Sequence, residues 1–162
     1  MLGGYTNSNN SNNTENKIAI SIGDGKEDFW INHPSWHPKH GEEVVHPQWI
    51  LDILDEKPVI ILAHSTTCKP CKDQDDAIKE VLGDLGDSIE YISILTDGGD
   101  DRMKDVYINY YPQGGQWYIP LTVMLSKTEY NGKEEVIWHS VIGVTSEDWL
   151  REYIENAIEY YR

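Results

Sequence analysis

The chain contains two cysteines, Cys68 and Cys71, and they stand two residues apart in Thr66-Thr67-Cys68-Lys69-Pro70-Cys71. That spacing supports three chemistries. A Cys-x-x-Cys pair at a strand-to-helix junction is a thiol–disulfide redox site. The same pair is half of a zinc site if His64, or histidines from the His33–His46 region, complete it. It also forms a structural disulfide, although a two-residue gap closes a tight, reducible ring.

The elements around the pair favour the first of these. Val59-Ile60-Ile61-Leu62-Ala63 is a continuous, mostly β-branched apolar run, which predicts a strand buried on both faces at the centre of a mixed sheet. After Cys68, the residues Ala77, Ile78, Val81, Leu82 and Leu85 recur at helical spacing, and Gly83 and Gly86 end that helix. Asp73, Asp75 and Asp76 in its early turns complement the helix dipole. Upstream, Lys17–Ile22 alternates polar and apolar as a first strand, and 47–54 reads as a short helix with Pro47 in its first turn. Downstream come a strand over 89–95, a helix over 101–110 and a flexible loop over 111–116. A strand then runs over 119–125, and Asn131-Gly132 turns it into a return strand over 135–141. Gly143 breaks that strand. Thr145 is placed to cap a last helix whose stripe is Trp149, Leu150, Tyr153, Ile154, Ala157, Ile158 and Tyr161.

The totals exclude some partners. With 162 residues and a net charge of −15, the chain suits one domain with a solvated acidic surface. Nucleic acid and anionic membrane surfaces are poor matches for that charge. No run approaches the ~20 apolar residues of a membrane span, and the N-terminus lacks the basic-then-apolar pattern of a signal peptide. Residues 1–16 are rich in Asn, Ser, Thr and Gly, and read as a disordered linker or a tether from an anchor further upstream. Residues 17–162 form the domain, with an N-terminal strand, loop and helix over 17–57 and a core over 58–162. His33, His37, His40 and His46 sit among prolines at irregular spacing, which favours a structural or surface role over metal ligation.

From Pro58 to Ile158 the order is strand, helix, strand, helix, strand, strand, helix. With Cys68-Lys69-Pro70-Cys71 after the buried strand, Ile119-Pro120 opening a later strand, the Gly143 break and a terminal helix, the chain resembles the thioredoxin superfamily. The resemblance implies an α/β thioredoxin-like fold, a central mixed β-sheet flanked by helices on both faces. It implies a cis bond before Pro120, with Pro120 against the cysteine pair, and a backbone at Ile119 that pairs with an extended substrate strand. It also implies a protein disulfide oxidoreductase acting by sulfur chemistry alone, with no bound cofactor.

In that scheme Cys68, at the helix N-terminus, is the attacking thiolate, with a pKa below the ~8.5 of free cysteine. Cys71 is shielded and resolves the mixed disulfide. Lys69 and Lys72 add positive charge, and Pro70 restrains the turn. Two positions depart from typical thioredoxins: Leu62 stands where a buried aspartate assists proton transfer, and Thr67 replaces the tryptophan before the motif. His64, on the same strand face as Leu62, is a candidate proton carrier or cationic stabiliser of Cys68. Trp117, in a long loop beside Pro120, is a candidate for shaping the substrate groove, with Gly143 near it. The expected partners are protein disulfides or dithiols and an upstream electron donor, met by a monomer, with reduction favoured over oxidation. Two rival expectations are a membrane-tethered, extracytoplasmic reductase serving cytochrome maturation or peroxide defence, and a non-enzymatic metal-binding or interaction domain.

Overall fold

The computed structural model describes residues 20–162. The linker or tether expected over 1–16, and the first half of the strand expected over 17–22, lie outside the described residues. Of that strand, Ile22 makes an isolated bridge to Phe29.

Eight elements follow: α1 (Gln48–Leu54), β1 (Val59–His64), α2 (Lys69–Leu82), β2 (Glu90–Leu95), α3 (Arg102–Tyr110), β3 (Leu121–Tyr130), β4 (Lys133–Ile142) and α4 (Glu147–Tyr160). The strands form one sheet in the order β2-β1-β3-β4. β1 pairs parallel with β2 and antiparallel with β3, and β3 pairs antiparallel with β4. The β-branched run therefore occupies an interior position, as its lack of alternation predicts.

Period-two alternation divides β1 between two cores. Val59, Ile61 and Ala63 pack on one face with Ile50 and Leu54 of α1 and Val106, Tyr107 and Tyr110 of α3. Ile60 and Leu62 pack on the other with Ile78 and Val81 of α2 and Leu150, Ile154 and Ala157 of α4. One helix pair thus covers each face, and the sheet is a middle layer. The β3–β4 turn is Asn131-Gly132, with φ of 52° and 78°. Both central residues are left-handed, as a tight hairpin turn requires.

The open edge of β4 is partly closed by the segment before α1. Trp30 N–H donates to Trp138 O at 2.7 Å, and Trp138 N–H donates to Trp30 O at 2.9 Å. Phe29 enters the α2/α4 core and Trp30 the α1/α3 core, so the chain straddles the sheet edge there. Covering an edge in this way removes a template for unwanted strand pairing.

Two sequence expectations are corrected, the cap of α4 and the place of Pro47. Ser146, not Thr145, caps α4: its side chain accepts the Trp149 N–H at 3.0 Å. Thr145 is drawn inward by a buried partner on α2. The loop over 111–116 has no helix or strand, and its two ends are tied together: the Tyr111 hydroxyl donates to Gln116 O at 2.7 Å and accepts the Tyr118 N–H at 2.9 Å. Pro47 stands one place ahead of α1, where its carbonyl receives the Ile50 and Leu51 N–H groups.

Candidate functional site

One end of the sheet gathers the chemistry. β1 ends at His64, and its chain runs through Thr66 and Thr67 to Cys68 at the head of α2. β3 begins at that same end: Leu121 lies opposite Ala63 in the register, which sets Pro120 level with His64. β4 finishes there as well, with Ile142 opposite Leu121, so Gly143 follows beside Pro120. Antiparallel pairing and a parallel crossover together deliver the three segments to one place.

Cys68 is the N-cap of α2, and its Sγ accepts the Cys71 N–H at 3.1 Å. The first-turn N–H groups have no partner within the helix, so they are available to a sulfur there. Pro70 falls in that first turn, where its missing donor costs nothing. Cys68 and Cys71 are joined as a disulfide, with Cα atoms 5.2 Å apart. Cys68 is half-buried, whereas Cys71 is fully buried. This asymmetry follows from helical geometry: one residue caps the helix and the other faces the sheet one turn later.

The lysines are balanced by neighbours. Lys69 Nζ lies 2.7 Å from Asp73 Oδ1, and Lys72 Nζ lies 3.1 Å from Asp76 Oδ2. The Asp73 hydrogen bond and charge hold the Lys69 pKa above its ordinary value. The charge each lysine brings to the helix start is thus shared with an aspartate one turn on. These are i,i+4 pairs on an exposed surface, where solvent screens the attraction.

The chain into Cys68 is tied to the turn after β2. Asp97 Oδ2 accepts from the Thr66 hydroxyl at 2.7 Å and from the Thr66 N–H at 3.3 Å. These bonds hold the Asp97 carboxyl below its usual pKa. Thr67 is exposed. His64 turns toward the β2 side of the site, where its Nε2 lies 2.6 Å from Ser93 Oγ.

Pro120 is buried and follows a cis bond from Ile119, which is half-buried. Gly143 has a φ of +96°, and its N–H donates to Pro120 O at 2.9 Å. A side chain would be strained in that backbone. Trp117 stacks on Tyr107 with ring centroids 4.8 Å apart, and the Tyr107 hydroxyl donates to Tyr118 O at 2.8 Å. Even so, Trp117 remains 42% exposed, Tyr118 50% and Val144 51%. Sequence neighbours of Pro120 and Gly143 thus present apolar surface to solvent.

The structure brings Cys68, Cys71, Pro70, Ile119, Pro120 and Gly143 to one end of the sheet. It sends Lys69 to solvent and His64 toward Ser93. Among the described residues, no three His, Cys, Asp or Glu side chains converge to hold a metal. The histidine segment is built into the framework instead. His37 Nε2 lies 2.7 Å from Tyr111 O, His33 Nδ1 3.2 Å from Glu42 O, and His46 Nδ1 2.7 Å from the Tyr110 hydroxyl.

Sequence reasoning missed Gln74. Its signal was there: it falls three residues after Cys71 and four before Ile78, on the face of α2 that should be apolar.

No family model matches the chain, and a search of the curated proteins finds no match. Among solved structures, a chloroplastic thioredoxin z is 15% identical with a TM-score of 0.49, over 88% of this chain and 96% of that one. The germline-specific thioredoxin Deadhead of Drosophila melanogaster is 16% identical with a TM-score of 0.46, over 67% and 88%. Mitochondrial thioredoxin 3 of Saccharomyces cerevisiae, in its oxidised form, is 15% identical with a TM-score of 0.45, over 67% and 87%. The sheet order β2-β1-β3-β4, the helix pair on each face, and a cis-proline opening the strand beside the one that leads into Cys68 are properties of this chain itself, and by them it has a thioredoxin-like fold.

Proposed function

We propose that the chain is a thiol–disulfide oxidoreductase for protein substrates, working in the reducing direction. The observation that carries this reading is the Cys68–Cys71 pair at the head of α2, with one sulfur-bearing residue half-exposed and the other buried.

In the reduced protein, the Cys68 thiolate attacks one sulfur of a substrate disulfide. That disulfide breaks, a substrate thiolate leaves, and a Cys68–substrate mixed disulfide forms. Cys71 then loses its proton and attacks Cys68 Sγ, which expels the second substrate thiolate. Two electrons pass from the dithiol to the substrate. The protein ends with the Cys68–Cys71 disulfide, and an external dithiol donor returns it to the reduced form. Helix N–H groups at Cys68 favour the thiolate both as attacker and as leaving group. The chemistry asks nothing of a bound cofactor.

The substrate chain lies along Ile119, pairing with its backbone as an added strand. Trp117, Tyr118 and Val144 supply exposed apolar contacts on the two flanks.

Insulin reduction with dithiothreitol tests the reading. Turnover by the intact protein, and none by Cys68→Ser, supports it; an inactive intact protein refutes it. The direction is tested by the reduction potential. A value near the ~−270 mV of thioredoxin supports reduction, and one near ~−120 mV overturns that direction.

A further inference from the structure

The apolar face of α2 contains one residue that hydrophobic packing does not explain. Its buried positions are Cys71, Gln74, Ile78 and Val81. An unpaired carboxamide at a fully buried site would be costly, but the Gln74 amide is engaged at both ends. Nε2 donates to Thr122 Oγ1 at 3.0 Å and to Thr145 Oγ1 at 3.1 Å. Oε1 accepts the Thr145 backbone N–H at 2.8 Å.

The partners come from the two segments that frame the disulfide. Thr122 is two residues past cis-Pro120 in β3, and Thr145 is two residues past Gly143. Gly143 itself donates to Pro120 O at 2.9 Å. Gln74 sits one turn beyond Cys71 on the same helix. One side chain therefore joins the helix of the buried cysteine, the strand of the cis-proline and the loop that carries exposed Val144. The joint is made of neutral groups, fully buried at Gln74 and Thr122 and half-buried at Thr145, and hydrogen bonds shielded from water are strong.

We propose that Gln74 is a positioning residue for substrate docking: it clasps the loop 143–145 against β3 and α2 and so keeps the shape of the groove that receives an extended substrate chain. This inference rests on the thiol-exchange reading above. Gln74 acts through the loop. Removing it leaves Cys68 as reactive as before toward a disulfide that needs no groove.

The test is Gln74→Met, of similar length but without hydrogen-bonding groups. The KM for reduced-enzyme attack on a protein disulfide rises roughly tenfold, the scale of one buried hydrogen bond broken on one side. The rate with dithiobis-nitrobenzoate, a small disulfide, changes by less than about twofold. Hydrogen exchange at the Thr145 amide accelerates by at least about tenfold. Gln74→Glu, whose buried carboxyl takes up a proton and so still accepts the Thr145 N–H while donating to one threonine hydroxyl, restores part of that protection. Thr122→Val moves the same readouts less far, and it replaces Gln74→Met if that variant fails to fold. An unchanged KM in a folded variant overturns the inference, as does an equal loss with both disulfides. A wild type inactive toward both disulfides refutes the exchange reading itself, and the clasp's role in docking with it.

Discussion

Thr122 lies directly across from Leu62 in the antiparallel register of β1 and β3, so a hydroxyl held by Gln74 sits beside the position where typical thioredoxins bury an aspartate. Both residues are fully buried. In this chain the polar group beside that position is a neutral hydroxyl on the neighbouring strand. An uncharged group can be buried with its hydrogen bonds satisfied, whereas a carboxylate there would pay for desolvation or take up a proton.

Leu62→Asp tests what that neutral floor contributes. The new carboxyl is buried, which raises its pKa above the unfolded value. Its penalty is therefore present at neutral pH and is relieved as pH falls through the raised folded-state pKa. Urea unfolding shows a loss on the order of 3 kcal/mol at pH 7, and a smaller loss at pH 5.

The two cysteines differ in reactivity once reduced. Iodoacetamide modifies Cys68 first, with a midpoint below the ~8.5 of free cysteine. Cys71→Ser retains the attack but accumulates the mixed disulfide, seen as a covalent adduct by mass spectrometry. Preferential alkylation of Cys71 would reverse the assignment of roles.

Gly143→Ala forces a Cβ into a backbone with a φ of +96°. No neighbour lies within 4 Å of the added atom, so the cost comes from the backbone rather than from a clash. Thermal unfolding reports a loss of about 1–2 kcal/mol. The Gly143 N–H bond to Pro120 O loosens, and the KM for a protein disulfide rises.

Tyr111→Phe removes the hydroxyl that serves both Gln116 O and the Tyr118 N–H. Stability falls by about 1–2 kcal/mol. Hydrogen exchange at the Tyr118 amide accelerates, because the loop leading to Trp117 and Ile119 has lost its closure.

One buried histidine, His139, and one half-buried histidine, His46, weaken the fold in acid. Burial pushes His139 down to about 4 and His46 down to about 4, from an ordinary 6.5. Both are neutral in the folded protein, while the unfolded chain takes up protons below 6.5. Stability from these groups is therefore complete above about pH 6.5 and lost progressively as pH falls toward 4. For His139, 4% exposed, the loss is on the order of 3 kcal/mol. NMR titration shows the His139 ring neutral down to about pH 4 in folded protein, and unfolding free energy declines over the same window.

The element order, the sheet centre at Val59–Ala63, the hairpin at Asn131-Gly132 and the Cys68–Cys71 pair were all readable along the chain. Each depends on local periodicity, turn chemistry or a short spacing. The cis bond before Pro120 was readable only through resemblance. What the tertiary structure decided is how distant side chains meet. Thr145 has the form of a helix cap in sequence, and Ser146 stands next to it with the same capability. The choice fell to Ser146 because Gln74, 71 residues from Thr145 in the chain, needed partners inside the core. Lys69 and Lys72 read as positive charge for the thiolate, yet Asp73 and Asp76 lie one helical turn away and share it. A buried hydrogen-bond network depends on which segments the sheet register brings together, and no local pattern encodes that. The cysteines could be named from the sequence alone, but the neutral clasp beneath them appears only when α2, β3 and the loop after β4 are packed together.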